Sequence, residues 1–236
     1  MGYRLAARGE EAPMALKYEH FAFKRVVVEA HLWPPVGEIS DGVLSQLFGH
    51  LNEDELFTSL ELRPSGATFT GEYWTYDLSG STVRIRCFGF PHHEFLRQQI
   101  RKLLDGTRAV KAHRRVAFYV AEIRVFAEVP EVGRRDIASV VQKRLLRGVK
   151  ADQAEELPGL SGAGLSLFGE TERYTWHADI DPNPETEALS LFAGISFAEP
   201  DPPRPGSDVE KIEEQVAIAC DFVQGGLQAF ATKLFP

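Results

Sequence analysis

Three polar side chains of types that bind metals alternate along one short stretch of the chain, namely His177, Asp179 and Asp181. Because successive side chains of a β-strand point to opposite faces, these three residues would share one face of a strand. Imidazole and carboxylate groups are ordinary ligands for a divalent ion, so a metal-dependent hydrolase is one hypothesis. Residues two apart on a strand are about 6.6 Å apart, however, and the solvated face of an amphipathic strand is the simpler interpretation.

A second group of titratable residues follows Pro91, where His92, His93 and Glu94 stand together at the predicted start of a helix. Neighbouring residues diverge on a helix, and the spacing is not the H-E-x-x-H that places two histidines on one face. A first-turn glutamate favoured by the helix dipole explains the pattern more simply. The phosphate-loop, dinucleotide-binding and nucleophile-elbow motifs are also missing from the sequence. We therefore predict no catalytic residue, no metal ligand and no cofactor, and favour a protein that is not an enzyme.

The charge of the chain is strongly segregated. The net charge is -8, yet residues 97–150 hold 14 basic and 5 acidic side chains, whereas residues 151–236 hold 4 basic and 16 acidic ones. This basic block either attracts phosphates or an acidic partner, or packs against the acidic C-terminal part of the same chain. Arg84 and Arg86 beside Phe88 would extend a phosphate-binding surface. The candidate binding residues of the block are Arg97, Arg101, Lys102, Lys111, Arg114, Arg115, Lys143, Arg144 and Arg147.

Hydrophobic periodicity predicts the order strand, helix, three strands, helix in the first half of the chain. Period-two alternation marks a strand at 22–33, and apolar residues at helical spacing between 39 and 51 mark a short helix. The turn sequences PSG and DLSGS separate the next strands. A helix follows Pro91, and Asp105-Gly106 predicts its C-terminal end. The three predicted strands span 59–63, 67–78 and 82–90.

The same order is predicted again in the second half. A long strand at 115–129 precedes a helix at about 133–147 and a glycine-rich loop at 150–164. The closing helix begins with Ser207 and Glu210 at the spacing of a capping box, and Gly225-Gly226 interrupts it. Three strands come between the loop and this helix, at 165–170, 173–180 and 188–198.

These patterns predict an α+β fold with two strand-helix-three-strand-helix units, whose antiparallel sheets pack against long helices around a groove or join into one wide sheet. We place an N-terminal extension at 1–21, the first unit at 22–112 and the second at 113–236. Cys87 and Cys220 lie in apolar patterns without C-x-x-C spacing, which indicates buried reduced thiols. Neither a signal-like segment at the start nor an apolar run of about 18 residues occurs, so we expect a cytoplasmic protein without a membrane partner.

Four segments carry a resemblance over most of the chain. The segments are FKRVVVEAHLWPP, STVRIRCFGFPHHEFLRQQIRKLL, RRVAFYVAEIRVFAEVP and the closing DVEKIEEQVAIACDFVQGGLQAF. They resemble a sporadically distributed family of uncharacterised prokaryotic proteins of about this length. The resemblance implies a fold and a prokaryotic accessory role, and it carries over no catalytic residue. The element order is also similar to the helix-grip arrangement of TATA-binding-protein-like domains.

Taken together, the sequence predicts a non-enzymatic binding or interaction protein that acts through a concave sheet face and charge-segregated surfaces. Its expected partner is another protein or a second copy of itself, since opposite charge blocks favour a homo-oligomer. Nucleic-acid or nucleotide binding through the basic block is the alternative hypothesis. The metal-dependent hydrolase is a second alternative.

Overall fold

The computed structural model describes residues 21–52, 56–89, 93–109, 115–129, 164–183, 188–197 and 208–234. Their strands are β1 (Ala22–Trp33), β2 (Ser59–Arg63), β3 (Gly66–Thr70), β4 (Trp74–Ser79), β5 (Thr82–Phe88), β6 (Ala117–Val129), β7 (Leu165–Glu170), β8 (Tyr174–Asn183) and β9 (Ala188–Phe197). Their helices are α1 (Asp41–Leu51), α2 (His93–Ala109), α3 (Asp208–Asp221) and α4 (Gln228–Leu234), with a π-helical segment, Phe222–Leu227, joining the last two.

All described strands form one antiparallel sheet in the order β2-β3-β4-β5-β1-β6-β9-β8-β7. The long strands β1 and β6 pair at its centre, from Ala22 opposite Glu128 to Trp33 opposite Ala117. On one side β5 pairs with β1, and on the other β9 pairs with β6. The fold is therefore α+β, with a single wide sheet rather than two separate ones.

Alternation along the strands gives the sheet one apolar and one polar face. On β1 the apolar face carries Val26, Val28, Ala30 and Leu32, all buried, and the corresponding residues of the other strands join the same core. The apolar stripe of α2 and the buried side of α3 pack into this core. The described helices thus cover one face, which we call the helix face, and we call the polar one the open face.

The segment predicted as one strand at 67–78 is instead two strands, β3 and β4. The chain turns at Gly71, whose backbone N–H donates to the carbonyl of Trp74. A Cβ at Gly71 would collide with the backbone carbonyl of Leu56, so only glycine fits this close approach. A signal for the turn was present, because the buried apolar residues move from the odd positions Ala67 and Phe69 to the even positions Trp74, Tyr76 and Leu78.

The prediction that α2 ends at Asp105-Gly106 is wrong, because the helix continues to Ala109. Gly106 is a packing residue rather than a stop signal. A Cβ there would collide with the side chain of Leu51 at the end of α1. The missing side chain lets α1 and α2 approach closely, which is a recognised use of glycine inside a helix.

The closing helix matches its prediction in place and in the irregularity at Gly225-Gly226, which falls in the π-helical segment. Phe222 of that segment packs on Trp176 of β8, with ring centroids 4.9 Å apart. Several predictions fall outside the described residues. They are Ser207 of the capping box, the helix at 133–147, all of the loop at 150–164 except Gly164, and most of the N-terminal extension.

Both cysteines are buried and free, as the sequence indicated. Burial raises the pKa of each thiol, Cys87 and Cys220, to about 12. In the described part of the chain, no helix combines the length and the apolar character that crossing a membrane requires.

Candidate functional site on the open face of the sheet

A ladder of ion pairs crosses the middle of the open face. Arg86 of β5 contacts Asp77 of β4 (Nη2 to Oδ2, 2.6 Å), and Arg84 of β5 contacts Glu29 of β1 (Nη2 to Oε2, 2.8 Å). On β6, Arg124 pairs with Glu122 of its own strand. Cross-strand neighbours on one face of a sheet are close enough for such pairs, so the ladder follows from the register of four adjacent strands.

A groove of about 800 Å³ opens beside this ladder, over β6, β9 and β8. Its floor includes the rings of Phe126 and Phe192, whose centroids are 4.9 Å apart. Lys24 and Glu128 form an ion pair at its edge (Nζ to Oε2, 2.6 Å). The groove is lined by Lys24, Glu122, Arg124, Phe126, Ala127, Glu128, His177, Asp179, Asp181, Ser190, Leu191 and Phe192.

His177, Asp179 and Asp181 share one face of β8, as their spacing predicted, and all three line the groove. The imidazole of His177 lies beside the rings of Phe168 and Phe192, at centroid distances of 6.4 and 5.1 Å. A Cβ at Gly194 of β9 would collide with this imidazole, so the glycine leaves room for it. Among the described residues, no group of three or more histidine, cysteine or acidic side chains is placed to hold a metal ion.

The two aspartates of the groove differ in environment. Asp179 accepts a hydrogen bond from Ser166 of β7 (Oγ to Oδ1, 2.6 Å). Partial burial, and to a smaller extent the charge of Asp179, raises the pKa of the Asp181 carboxyl. Within the part of the chain that the structure describes, neither carboxylate has a cationic partner. These are therefore the acidic groups of the groove whose charge remains unbalanced.

Among the described residues, Arg25 of β1 is the basic residue of the open face that contacts no carboxylate. Its guanidinium carbon lies 3.9 Å from the centroid of the Phe126 ring, and its opposite neighbour on β5 is Phe88. The buried Nε of Arg25 has no hydrogen-bond partner among the residues that the structure describes. Stacking on an aromatic ring fixes a guanidinium and leaves its N–H groups at the edge free to bind a carboxylate.

The structure describes four of the nine candidates in the basic block. Arg97 pairs with Glu94 of the same helix (Nη1 to Oε2, 3.1 Å), Lys102 is partly buried and Arg115 is exposed in a turn. Arg101 donates from Nε to Glu213 of α3 (2.7 Å). The other five, Lys111, Arg114, Lys143, Arg144 and Arg147, lie outside the described residues, as do His92 and the side chain of His93.

Part of the charge segregation is satisfied inside the molecule. Two arginines of α2 pair with acidic residues of α3, Arg101 with Glu213 and Arg108 with Asp208. Glu213 raises the pKa of Arg101 through a hydrogen bond and its negative charge. Asp208 also accepts the backbone N–H of Phe118 (2.7 Å). At these positions the basic middle of the chain packs against its acidic end, which is one of the two interpretations that the sequence offered.

The sequence analysis missed most of the open-face residues. Arg84 and Arg86 were predicted only as an extension of a phosphate-binding surface beside Phe88. Their partners Glu29 and Asp77 were not predicted as site residues. A signal was present, because charged residues recur at every second position of the predicted strands. The pairing order of the strands was needed to show which of them meet.

Comparison with known proteins adds little to this description. No protein-family model and no curated protein matches the chain. Among solved structures, the chain is similar to the crystal structure of the di-domain ARO/CYC StfQ from the steffimycin biosynthetic pathway, at 9% identity over 89% of this chain and 97% of that one, with a TM-score of 0.19. A TM-score this low carries no argument about fold or function. The family resemblance of the four sequence segments stays a prediction.

Proposed function

We propose that this chain is a non-enzymatic interaction protein of the cytoplasm, with an accessory role in a prokaryote, which binds a partner protein through the open face of its sheet. The observation that carries the proposal is the groove over β6, β9 and β8, which combines aromatic rings with unbalanced charges. Aromatic and arginine side chains are the groups that contribute most to protein interfaces. Phe168 beside the groove is 78% exposed, the highest value among the exposed large apolar side chains of the described residues.

The strand order supports a duplicated origin for this surface. From the centre outward, one half of the sheet reads β1, β5, β4, β3 and the other reads β6, β9, β8, β7, so a long first strand is followed by a meander in each half. We infer two repeated units that meet at β1 and β6. In this arrangement the open face is formed jointly by both units, and neither half presents the whole surface alone.

The proposal is tested by photo-crosslinking in cells. A photoreactive phenylalanine analogue replaces Phe168 on the open face or, as the matched control, Phe230 of α4, which is 42% exposed. We expect protein adducts from position 168 and far fewer from position 230. Equal labelling at both positions, or no protein adduct at 168, would contradict a partner-binding open face, and nucleic-acid adducts would favour the alternative hypothesis.

A further inference from the structure

One row of side chains across the open face has a symmetry of its own. Reading along adjacent strands, the row runs Phe88, Arg25, Phe126, Phe192, Asp179 and Ser166, each directly opposite the next in the register of the sheet. Its centre lies between Phe126 of β6 and Phe192 of β9. On either side of this aromatic centre stands one charged residue, a cation on β1 and an anion on β8.

These two charges have no way to neutralise each other within one chain. Arg25 and Asp179 are separated by three strand spacings, which is roughly 14 Å along the sheet. Coulomb attraction at this distance across a solvated face is largely screened. Among the described residues, Arg25 stacks on Phe126 and contacts no carboxylate, and Asp179 accepts a side-chain hydrogen bond only from the Ser166 hydroxyl.

We propose that the partner on this face is a second copy of the chain, packed face to face about a two-fold axis that runs parallel to the strands between β6 and β9. The inference rests on the proposed function, whose partner it names. A rotation of 180° about this axis places Arg25 over Asp179 of the second copy and Phe126 over its Phe192. The contact is isologous, so each ion pair and each aromatic contact forms twice.

The neighbouring rows are compatible with the same axis. Two rows further along the strands, Arg84 of β5 and Glu170 of β7 occupy the outer strands, and the rotation brings them together. Arg124 of β6 comes over Gly194 of β9, where the imidazole of His177 and the carboxylate of Glu122 occupy the space that a side chain would fill. The rotation brings no two like charges into opposition in these rows, whereas a shift by one strand would place Arg25 over Phe192.

The contact is large enough for a specific interface. About this axis six strands overlap, β5, β1, β6, β9, β8 and β7, whereas β2, β3 and β4 lie outside the contact. Six strands at about 4.8 Å spacing span roughly 29 Å, and strands of six residues are about 20 Å long, so each copy contributes roughly 580 Å². The total of about 1,160 Å² from both copies lies at the lower end of the range for specific interfaces. Packed sheets with their strands aligned within about 30° are a common arrangement, and the aromatic centre would form its core.

The test reverses the two charges of the row, Arg25 and Asp179, one at a time. R25D places two aspartates opposite each other in the homodimer, and D179R places two arginines opposite each other. We expect each variant alone to be monomeric by sedimentation equilibrium at concentrations where the unaltered protein is a dimer, with a dissociation constant raised at least about 100-fold. Mixed one to one, the two variants should form a heterodimer, because both contacts are then between opposite charges.

Matched controls carry the same charge changes away from the row. R63D on β2 and E172R in the β7–β8 turn should remain dimers. If R25D or D179R fails to fold, R84D and E170R test the same axis in the same way. Homodimers of both charge-reversed variants, or a mixture that stays monomeric, would overturn the proposal.

The oligomeric state and the crosslinking adducts of the unaltered protein together distinguish this inference from the proposed function. A monomer at low salt that still gives other-protein adducts at position 168 would overturn self-association and leave the partner-binding face standing. A monomer without adducts would overturn both.

Discussion

At the scale of single residues, Asp208 is a buried acid on which three elements of the described chain depend. It is 4% exposed, pairs with Arg108 and accepts the N–H of Phe118. It also lies in the first turn of α3, where the helix dipole favours a negative charge. One side chain thereby joins α2, the start of β6 and the closing helix.

Replacing this carboxylate should be severe. We expect D208A to lower the free energy of unfolding by about 3–5 kcal/mol, because it leaves a largely buried arginine and a backbone donor without their acceptor. Urea denaturation measures the change. The control is E214A on the same helix, which breaks the exposed Arg173–Glu214 pair and should cost at most about 1 kcal/mol. Similar losses in the two variants would contradict a structural role for Asp208.

The thiols give a prediction about pH. Since the pKa of Cys87 and Cys220 is about 12 in the folded chain and about 8.5 in an unfolded one, folding favours the protonated thiols. Their contribution to stability is complete below about pH 8.5 and is lost as the pH rises toward 12.

We therefore expect the urea midpoint to fall between pH 8 and pH 10, and to fall less in the C87A/C220A variant. At pH 8 neither thiol of the folded protein should react with a thiol-specific dye until urea unfolds it. Rapid reaction of either thiol in the native protein would contradict the burial of that cysteine.

At the scale of elements, glycines decide where helices approach and where they weaken. Gly106 permits contact between α1 and α2, whereas Gly225 and Gly226 lie exposed in the π-helical segment, and a Cβ at either would meet no atom within 4 Å. Packing therefore requires a glycine at position 106. No contact among the described residues requires a glycine at positions 225 and 226.

Adding a methyl group to that segment should therefore stabilise the protein. We expect G226A to raise the free energy of unfolding by about 0.5–1 kcal/mol, since alanine loses less conformational freedom than glycine in a helix. G80A is the contrasting variant, because its Cβ would collide with the carbonyl of Gly37, and it should lower the stability. Thermal denaturation of both variants measures whether each change raises or lowers the stability. A destabilised G226A would indicate that the π-helical geometry of the segment is needed for stability.

The elements were largely predictable from sequence, whereas their contacts were not. Alternation located β1, β5 and β6, and helical spacing located α2 and the closing helix, because burial on one face imposes these periods. The turn at Gly71 was missed although the alternation shifts there by one position, from Ala67 and Phe69 to Trp74, Tyr76 and Leu78. Asp105-Gly106 was wrongly predicted to end α2, because a glycine that allows close packing and a glycine that ends a helix cannot be told apart in a single sequence.

At the scale of the whole molecule, the sequence showed that charge is segregated but not where it is balanced. Balance depends on which helices and strands become neighbours, and the pairs Arg101–Glu213 and Arg84–Glu29 join residues 112 and 55 positions apart. The candidate site likewise depends on strand order. His177 and Asp179 were recognisable from their spacing, whereas Arg25 gained significance only once Phe126 was seen beneath it.

The pairing of β1 with β6 also has a consequence for synthesis of the chain. While the first hundred residues emerge from the ribosome, β1 can pair with β5, but its other side exposes backbone donors and acceptors until residues 117–129 follow. An unpaired strand edge invites association with other nascent chains. We therefore expect a pause in translation between β5 and β6 to lower the yield of correctly folded protein.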